Sequence, residues 1–428
     1  MESVLRGLIG LAFLILFLFL VSPKKKLISW KLVSSSLLMQ FLFAVAILKI
    51  PFISSIFETL SKFFVVVLSF TRQGSGFVFG KLLDVDHIGF IFAFQILPTI
   101  IFFSALTSLL FYLGILQRIV YALSWLLGRF LKISGAENLS ATANIFLGQT
   151  EAPLLIKPYI EKMTRSEILC VMVGGMASSA GGVLAAYVGF LGNGDPVQQL
   201  IFAKHLLAAS VMSAPATIAV SKMLLPQDEE INEQIQISKE KLGKNFIEAI
   251  SIGTEDGLKL AFNVGSMLIV FISLIAMVNY ALSDILGHYT GLNTLVVEIS
   301  NGQYQGLSMQ FLLGYLCSPL VWLLGVAKSD MVYLGQLLGE KIILNEFVAY
   351  MSLGKMKTEG LLQDPKSIIM ATYILSGFAN FSSIGIQVGG IGSLAPGKKS
   401  LLSELGFKAL LGGMICSLMT ATIVGILT

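Results

Sequence analysis

Long uncharged apolar runs alternate with short polar connections along the chain. Residues 7–22, 88–117 and 260–283 contain no charged side chain. A helix needs about 20 such residues to cross the hydrocarbon core of a bilayer. Backbone polar groups in lipid must be satisfied within their own segment, and these runs lack the strict alternation of membrane-barrel strands. The pattern therefore predicts an all-α polytopic membrane protein with about eight transmembrane helices, at 3–22, 28–50, 89–116, 167–191, 200–224, 257–285, 366–393 and 403–427. Residues 137–163 and 328–356 are too short or too interrupted for ordinary spans. They read as two re-entrant helical hairpins. Residues 52–70 and 117–133 read as amphipathic interfacial helices, and 226–247 as the one strongly polar loop.

Composition agrees. Charged residues make up 13% of the chain and hydrophobic ones 55%, against about 25% charged in a soluble domain. The first run is followed, not preceded, by a basic cluster and has no small-residue cleavage site, so it reads as a retained helix. Cys170, Cys317 and Cys416 are dispersed among apolar residues and read as small buried hydrophobes. The net charge of +4 belongs to loops and gives no reason to invoke nucleic acid.

Those loop charges predict orientation, because cytoplasmic loops are rich in Lys and Arg. Lys24, Lys25, Lys26, Arg118, Arg129, Lys132, Lys157, Lys162, Arg165, Lys239, Lys241, Lys244, Lys398 and Lys399 fall on one side if both termini lie outside. Loops 191–199 and 286–310 contain no Lys or Arg. Lys62, Arg72, Lys81, Lys355 and Lys357 are exceptions.

A repeat is superimposed on the spans. Trp125-Leu126-Leu127-Gly128 recurs as Trp322-Leu323-Leu324-Gly325. Glu151 and Glu346 follow at similar distances, and then Ser178-Ser179-Ala180-Gly181 and Ser382-Ser383-Ile384-Gly385. With the expected topology the two units enter the membrane from opposite sides. Such inverted repeats hold a transporter's substrate near the midplane.

The candidate chemistry sits at the hairpin tips. In NIFLGQTEAPLLIKPYI, 144–160, Gly148 is a natural break and Pro153 suits the first turn of a new helix. Gln149, Thr150 and Glu151 fall at the tip, with Glu151 where a helix dipole favours negative charge. An intramembrane carboxylate is a functional hypothesis by default; an internal ion pair or cap is the structural alternative. KIILNEFVAY, 341–350, places Asn345 and Glu346 between two apolar arms. GFANFSSIG, 377–385, supplies Asn380, Ser382 and Ser383 beside Phe378 and Phe381, although serines there can simply bond their own helix. Asn144 and Ser178 offer oxygen to a hard cation, although a membrane Asn also serves as interhelical glue.

GQTEAPLLIKPYI, NEFVAY, GFANFSSIG, QILPTIIFFSAL (95–106) and LAFNVGSMLI (260–269) together resemble the concentrative nucleoside transporters in their shorter bacterial form, over nearly the whole chain. The resemblance implies a homotrimer in the bacterial cytoplasmic membrane. It also implies scaffold helices within 1–116, transport repeat 1 over 117–224, a cytoplasmic loop and scaffold helix over 225–285, and transport repeat 2 over 286–428. By the same resemblance, Gln149, Thr150 and Glu151 bind the nucleobase of a substrate such as uridine, cytidine or adenosine, with Val183 and Phe378 packing beside it. Glu346, Asn380 and Ser383 bind ribose. Asn144 and Ser178, with the carbonyls of Leu147 and Ser179, ligate a co-transported sodium ion. Gly148 with Gln149 looks like the broadly selective members.

Other classes fit less well. An enzyme would need a nucleophile–base pair or metal cluster, but His87, His205 and His288 lie near predicted span ends without metal-site spacing. A passive channel has no need of inverted hairpins. A proton-coupled nucleoside transporter is the nearest alternative, and retention of Asn144 and Ser178 favours sodium over it.

Overall fold

The computed structural model describes residues 2–89, 91–232 and 243–428. Among these there is no strand, and eight helical stretches are long and apolar enough to cross a membrane. The peripheral helices come first: α1 (Glu2–Val21), α2 (Trp30–Lys49), α3 (Pro51–Phe79) and α4 (Leu97–Tyr112). A middle group comprises α5 (Ile115–Gly128), α6 (Gly135–Ala143), α7 (Arg165–Ala177), α8 (Gly181–Gly192) and α9 (Pro196–Leu224). After α10 (Phe246–Asn279), a last group contains α11 (Met309–Leu323), α12 (Met331–Ile343), α13 (Glu346–Thr358), α14 (Pro365–Leu375), α15 (Phe381–Leu394) and α16 (Lys399–Leu427).

Local chemistry starts these helices where they start. Ser134 and Glu137 form a reciprocal capping box at α6, and Thr164 and Glu167 do so at α7. Asp195, Asn245 and Asp364 cap α9, α10 and α14 with their side chains. Each supplies an acceptor to a backbone N–H that has no partner within the helix.

The middle and last groups meet at the centre. α9 and α16, each 29 residues long, pack on one another, and α7 packs along α16. α7, α8 and α9 are mostly buried, whereas α3 buries only Ser61, Val67, Leu68, Thr71 and Ser75. The interior is thus built from helices of the middle and last groups, and α1, α2, α3 and α10 surround it.

α10 packs along α4. A side-chain carbon added at Gly253 would lie 2.8 Å from the Ala105 α-carbon, and one at Gly257 would lie 2.8 Å from that of Ile101. This small-xxx-small spacing lets two membrane helices approach backbone to backbone. Gly257→Leu should cost about 1–3 kcal/mol by overpacking and lower the thermal midpoint of the detergent-solubilised protein. An unchanged midpoint would mean that α10 and α4 do not pack in this way.

Contacts sort the connections onto two faces. On one, Lys24 pairs with Asp228 and Arg165 with Glu404. Lys398 Nζ donates to Met163 O (2.9 Å) and Gly135 N to Asn232 O (2.8 Å) on the same face. On the other, Arg6 donates to Trp322 O (2.8 Å), Lys357 to Leu191 O (2.8 Å), and the Asp330 carboxylate accepts from Gln363 N and Asp364 N. The two ends of the segment 134–164 share the first face, and those of 330–364 share the second. Lys239 and Lys241 lie outside the described residues.

Three sequence expectations change. The stretch 52–70 is part of a 29-residue helix running to Phe79. Of its two charges, Glu58 is paired: it accepts from Lys204 at 2.8 Å, and Ser54 accepts from the same ammonium at 2.7 Å. The expected continuous spans 167–191 and 366–393 are each broken, at 178–180 and 376–380.

Candidate functional site

The first tip begins earlier than expected. α6 ends at Ala143, not near Gly148. Side chains there bond to the preceding turn: Thr142 Oγ1 donates to Asn138 O (2.7 Å) and Asn144 Nδ2 to Ser140 O (3.0 Å). Residues 144–151 form turns, and Pro153 sits in the first turn of a short 3-10 helix, Ala152–Ile156, in place of an α-helical arm. Gly148 O accepts from Glu151 N (3.1 Å) and Ala152 N (3.0 Å), while the Glu151 carboxylate accepts from Gly148 N (3.2 Å). Glu151 is folded back over its own tip and keeps some exposed surface, whereas Gln149 is buried.

This tip packs on the break between α7 and α8. Gly181 N donates to Phe146 O (3.3 Å), and a carbon added at Gly148 would lie 3.2 Å from Ala180 Cβ. Ser178 Oγ donates to Gly174 O (2.9 Å), leaving its lone pairs free of that bond. A carbon added at Gly174 would touch Asn144 Nδ2 at 2.9 Å. Asn144 Oδ1 is buried with no partner among the described residues. The carbonyls of Leu147 and Ser179 accept no backbone bond there either. A buried unpaired carbonyl is costly, and this oxygen-only set has the chemistry a hard cation requires.

The second tip is marked by asparagines. Asn345 Oδ1 accepts from Val348 N (3.0 Å) and caps α13, of which Glu346 is the first residue. Asn380 Oδ1 likewise caps α15 by accepting from Ser383 N (2.9 Å). The other end of the Asn380 amide donates to Glu346 Oε2 at 2.6 Å. Ser383 Oγ accepts from Gln149 Nε2 at 3.4 Å. Thus Gln149, Ser383, Asn380 and Glu346 form one chain of contacts joining the first tip to the second. Thr150 packs its methyl against α15 at Gly390, where an added carbon would lie 2.5 Å away. Val183 and Phe378 are buried and add apolar surface, whereas Phe381 is exposed.

The two breaks also touch. Gly377 has φ +83°, and its N–H donates to Ser179 Oγ (3.1 Å). A carbon at Gly377 would lie 2.6 Å from Met176 O. Only glycine meets both the positive φ and the close approach. The Ser-Ser-x-Gly echo is therefore out of register: Ser178 and Ser179 lie within the first break, whereas Ser382 and Ser383 lie beyond the second, in the first turn of α15. Ser382 Oγ bonds Asn380 Oδ1 (2.6 Å), not its own helix backbone.

Sequence reasoning missed three residues here. Tyr187 is buried, stacked on Tyr350 with ring centroids 4.1 Å apart, and edge-on to Phe347. Gln387 Nε2 crosses from α15 to Met172 O (2.9 Å). Lys341 is fully buried and donates to Ile374 O (2.9 Å), Ser376 O (2.8 Å) and Ser417 Oγ (3.1 Å). A lysine inside KIILNEFVAY was the available signal, since a charge at such a depth is costly and functional by default. A cavity of about 820 Å³ lies apart from the tips, lined by Asn279, Tyr304, Gln336 and Glu340.

Broken helices in inverted pairs, with polar tips meeting inside a membrane fold, are the construction of a secondary transporter. Family models match along the chain: the Na+ dependent nucleoside transporter N-terminus at residues 9–82, a nucleoside recognition module at 93–194, and the Na+ dependent nucleoside transporter C-terminus at 205–425. The chain belongs to the Na+ dependent nucleoside transporter family and is a nucleoside transporter, not an enzyme. It is 40% identical to sodium/nucleoside cotransporter 1 of Rattus norvegicus over 98% of this chain, spanning 63% of that protein. It is 38% identical to the nucleoside permease NupC of Helicobacter pylori, over 99% of this chain and 98% of that one. The structure of CNTnw in an inward-facing substrate-bound state is similar, with TM-score 0.87 and 36% identity, covering 99% of this chain and 97% of that one. Doubly substituted variants of CNTnw are solved in outward-facing states.

Proposed function

We propose that this chain is a sodium-coupled symporter that imports nucleosides across the bacterial cytoplasmic membrane by alternating access. The observation that carries the reading is the contact chain Gln149–Ser383–Asn380–Glu346, which joins both tips. Gln149, Thr150 and Glu151 take the nucleobase, with Val183 and Phe378 beside it. Glu346, Asn380 and Ser383 take the ribose. A carboxylate is an acceptor for hydroxyl donors, and the amides of Gln149 and Asn380 can both donate and accept.

Sodium is carried by Asn144, Ser178 and the carbonyls of Leu147 and Ser179. The unpartnered Asn144 Oδ1 supports this. The ion orders the tip that bears Gln149, so ion and nucleoside raise each other's affinity by the same factor. The segments 134–164 and 330–364 re-enter the membrane from opposite sides, both termini face outward, and the basic first face is cytoplasmic. The helices of 1–116 and α10 form the scaffold of a homotrimer. The repeats within 117–224 and 286–428 move against it, with the membrane potential contributing about 2.3 kcal/mol per charge per 100 mV.

Labelled uridine uptake into proteoliposomes tests the coupling. Replacing sodium with choline at fixed pH should abolish accumulation. Undiminished accumulation driven by a pH gradient would assign the coupling to protons.

A further inference from the structure

The inverted repeat has a break in each half, yet the oxygens gathered at the two breaks are treated differently. At the first, Asn144 Oδ1 and the carbonyls of Leu147 and Ser179 lack protein donors among the bonds described above. At the second, the carbonyls of Ile374 and Ser376 and the hydroxyl of Ser417 all accept from one buried group, Lys341 Nζ. Three acceptors match the three N–H bonds of an ammonium; a neutral amine has only two to give. Carbonyls at a helix C-terminus carry the negative end of the dipole and favour a cation.

The sequence puts these groups at equivalent places. The interval from Trp125 to Trp322 equals that from Asn144 to Lys341 and that from Ser179 to Ser376. Asn144 follows the first arm of its hairpin, and Lys341 lies in the last turn of α12, the first arm of the other. Ser179 and Ser376 each lie just past the end of the helix before a break, α7 and α14.

We propose that Lys341 is a tethered cation, occupying in the second repeat the position that sodium takes in the first. The inference rests on the sodium reading of the Asn144 cluster. Its consequence is a division of labour. The second break, with Asn380 and its bond to Glu346, is held together by the protein's own charge and is assembled before any ion binds. The first break needs an ion from solution. One nucleoside is therefore carried with one sodium ion. Lys341 is a positioning residue: it touches break carbonyls, and these set the start of the segment carrying Asn380.

Two substitutions separate charge from packing. Lys341→Met fills the space without charge, and nucleoside affinity should fall about tenfold or more, as expected when a charged hydrogen-bond donor is lost. Lys341→Ser leaves room between the same oxygens for an ion. Its affinity should be weak at low sodium and recover at high sodium, with the Hill coefficient for sodium rising from about one toward two as a second ion site couples to the nucleoside. Native affinity in Lys341→Met, or equal and sodium-insensitive losses in both variants, would overturn the proposal. The native protein gives an answer that does not depend on how the variants fold. A flux ratio of one sodium per nucleoside supports the tethered cation, and a ratio of two overturns it. Accumulation that ignores sodium altogether instead defeats the sodium reading beneath it, a failure distinguishable from the other two.

Discussion

Glu346→Gln should bind nucleoside about a hundredfold more weakly, roughly 3 kcal/mol, and its uptake should fall below detection. The carboxylate has two oxygens, and Asn380 Nδ2 occupies Oε2 at 2.6 Å. On the proposed reading, the remaining acceptor capacity serves a pair of ribose hydroxyls. A glutamine can present its single oxygen to Asn380 or to the substrate, but not fully to both, and its NH2 group brings donors where acceptors are required. The fold should survive, because a neutral amide of the same shape costs less to bury than a carboxylate. Calorimetric titration with uridine alongside a thermal melt separates the two effects. Native affinity in a folded variant would remove Glu346 from the substrate site.

Asn144→Ala should have a comparable effect on the ion. Asn144 Oδ1 is a buried acceptor with no partner among the described residues, and such a group costs about 1–3 kcal/mol. Removing it should leave stability without sodium unchanged or raised. In the native protein, adding sodium should raise the melting temperature, because a ligand stabilises the state that binds it. In Asn144→Ala that increment should vanish, and the sodium concentration for half-maximal uptake should rise about tenfold or more. A sodium-dependent melting shift of native size in the variant would refute the assignment.

The outlines of the fold were legible because apolar length is a strong signal, as in the uninterrupted α1 and α16. The tips were legible because Glu151 and Glu346 are expensive residues in apolar surroundings. The breaks at 178–180 and 376–380 were not. An interruption of three to five residues built from Ser, Ala, Gly, Phe and a single Asn barely lowers hydropathy averaged over a full span. The usable signal was finer, in asparagines that cap rather than continue a helix: Asn345 and Asn380 each accept from the N–H three residues on. Lys341 escaped notice for another reason. Its partners, Ile374, Ser376 and Ser417, are distant in sequence, so only the fold reveals that its charge is satisfied.

The contact of Gly377 with Ser179 and Met176 has a mechanical consequence. The proposed ion-binding and sugar-binding halves are stitched together at Gly377, whose N–H reaches the short Ser179 hydroxyl and whose backbone leaves no room for a side chain against Met176 O, so nothing long stands between them to act as a spring. Neither half can swing without dragging the other. An empty carrier and a fully loaded one then turn as a single block, and a bulky residue at 377 would pry that block apart into a leak that spends the gradient without cargo.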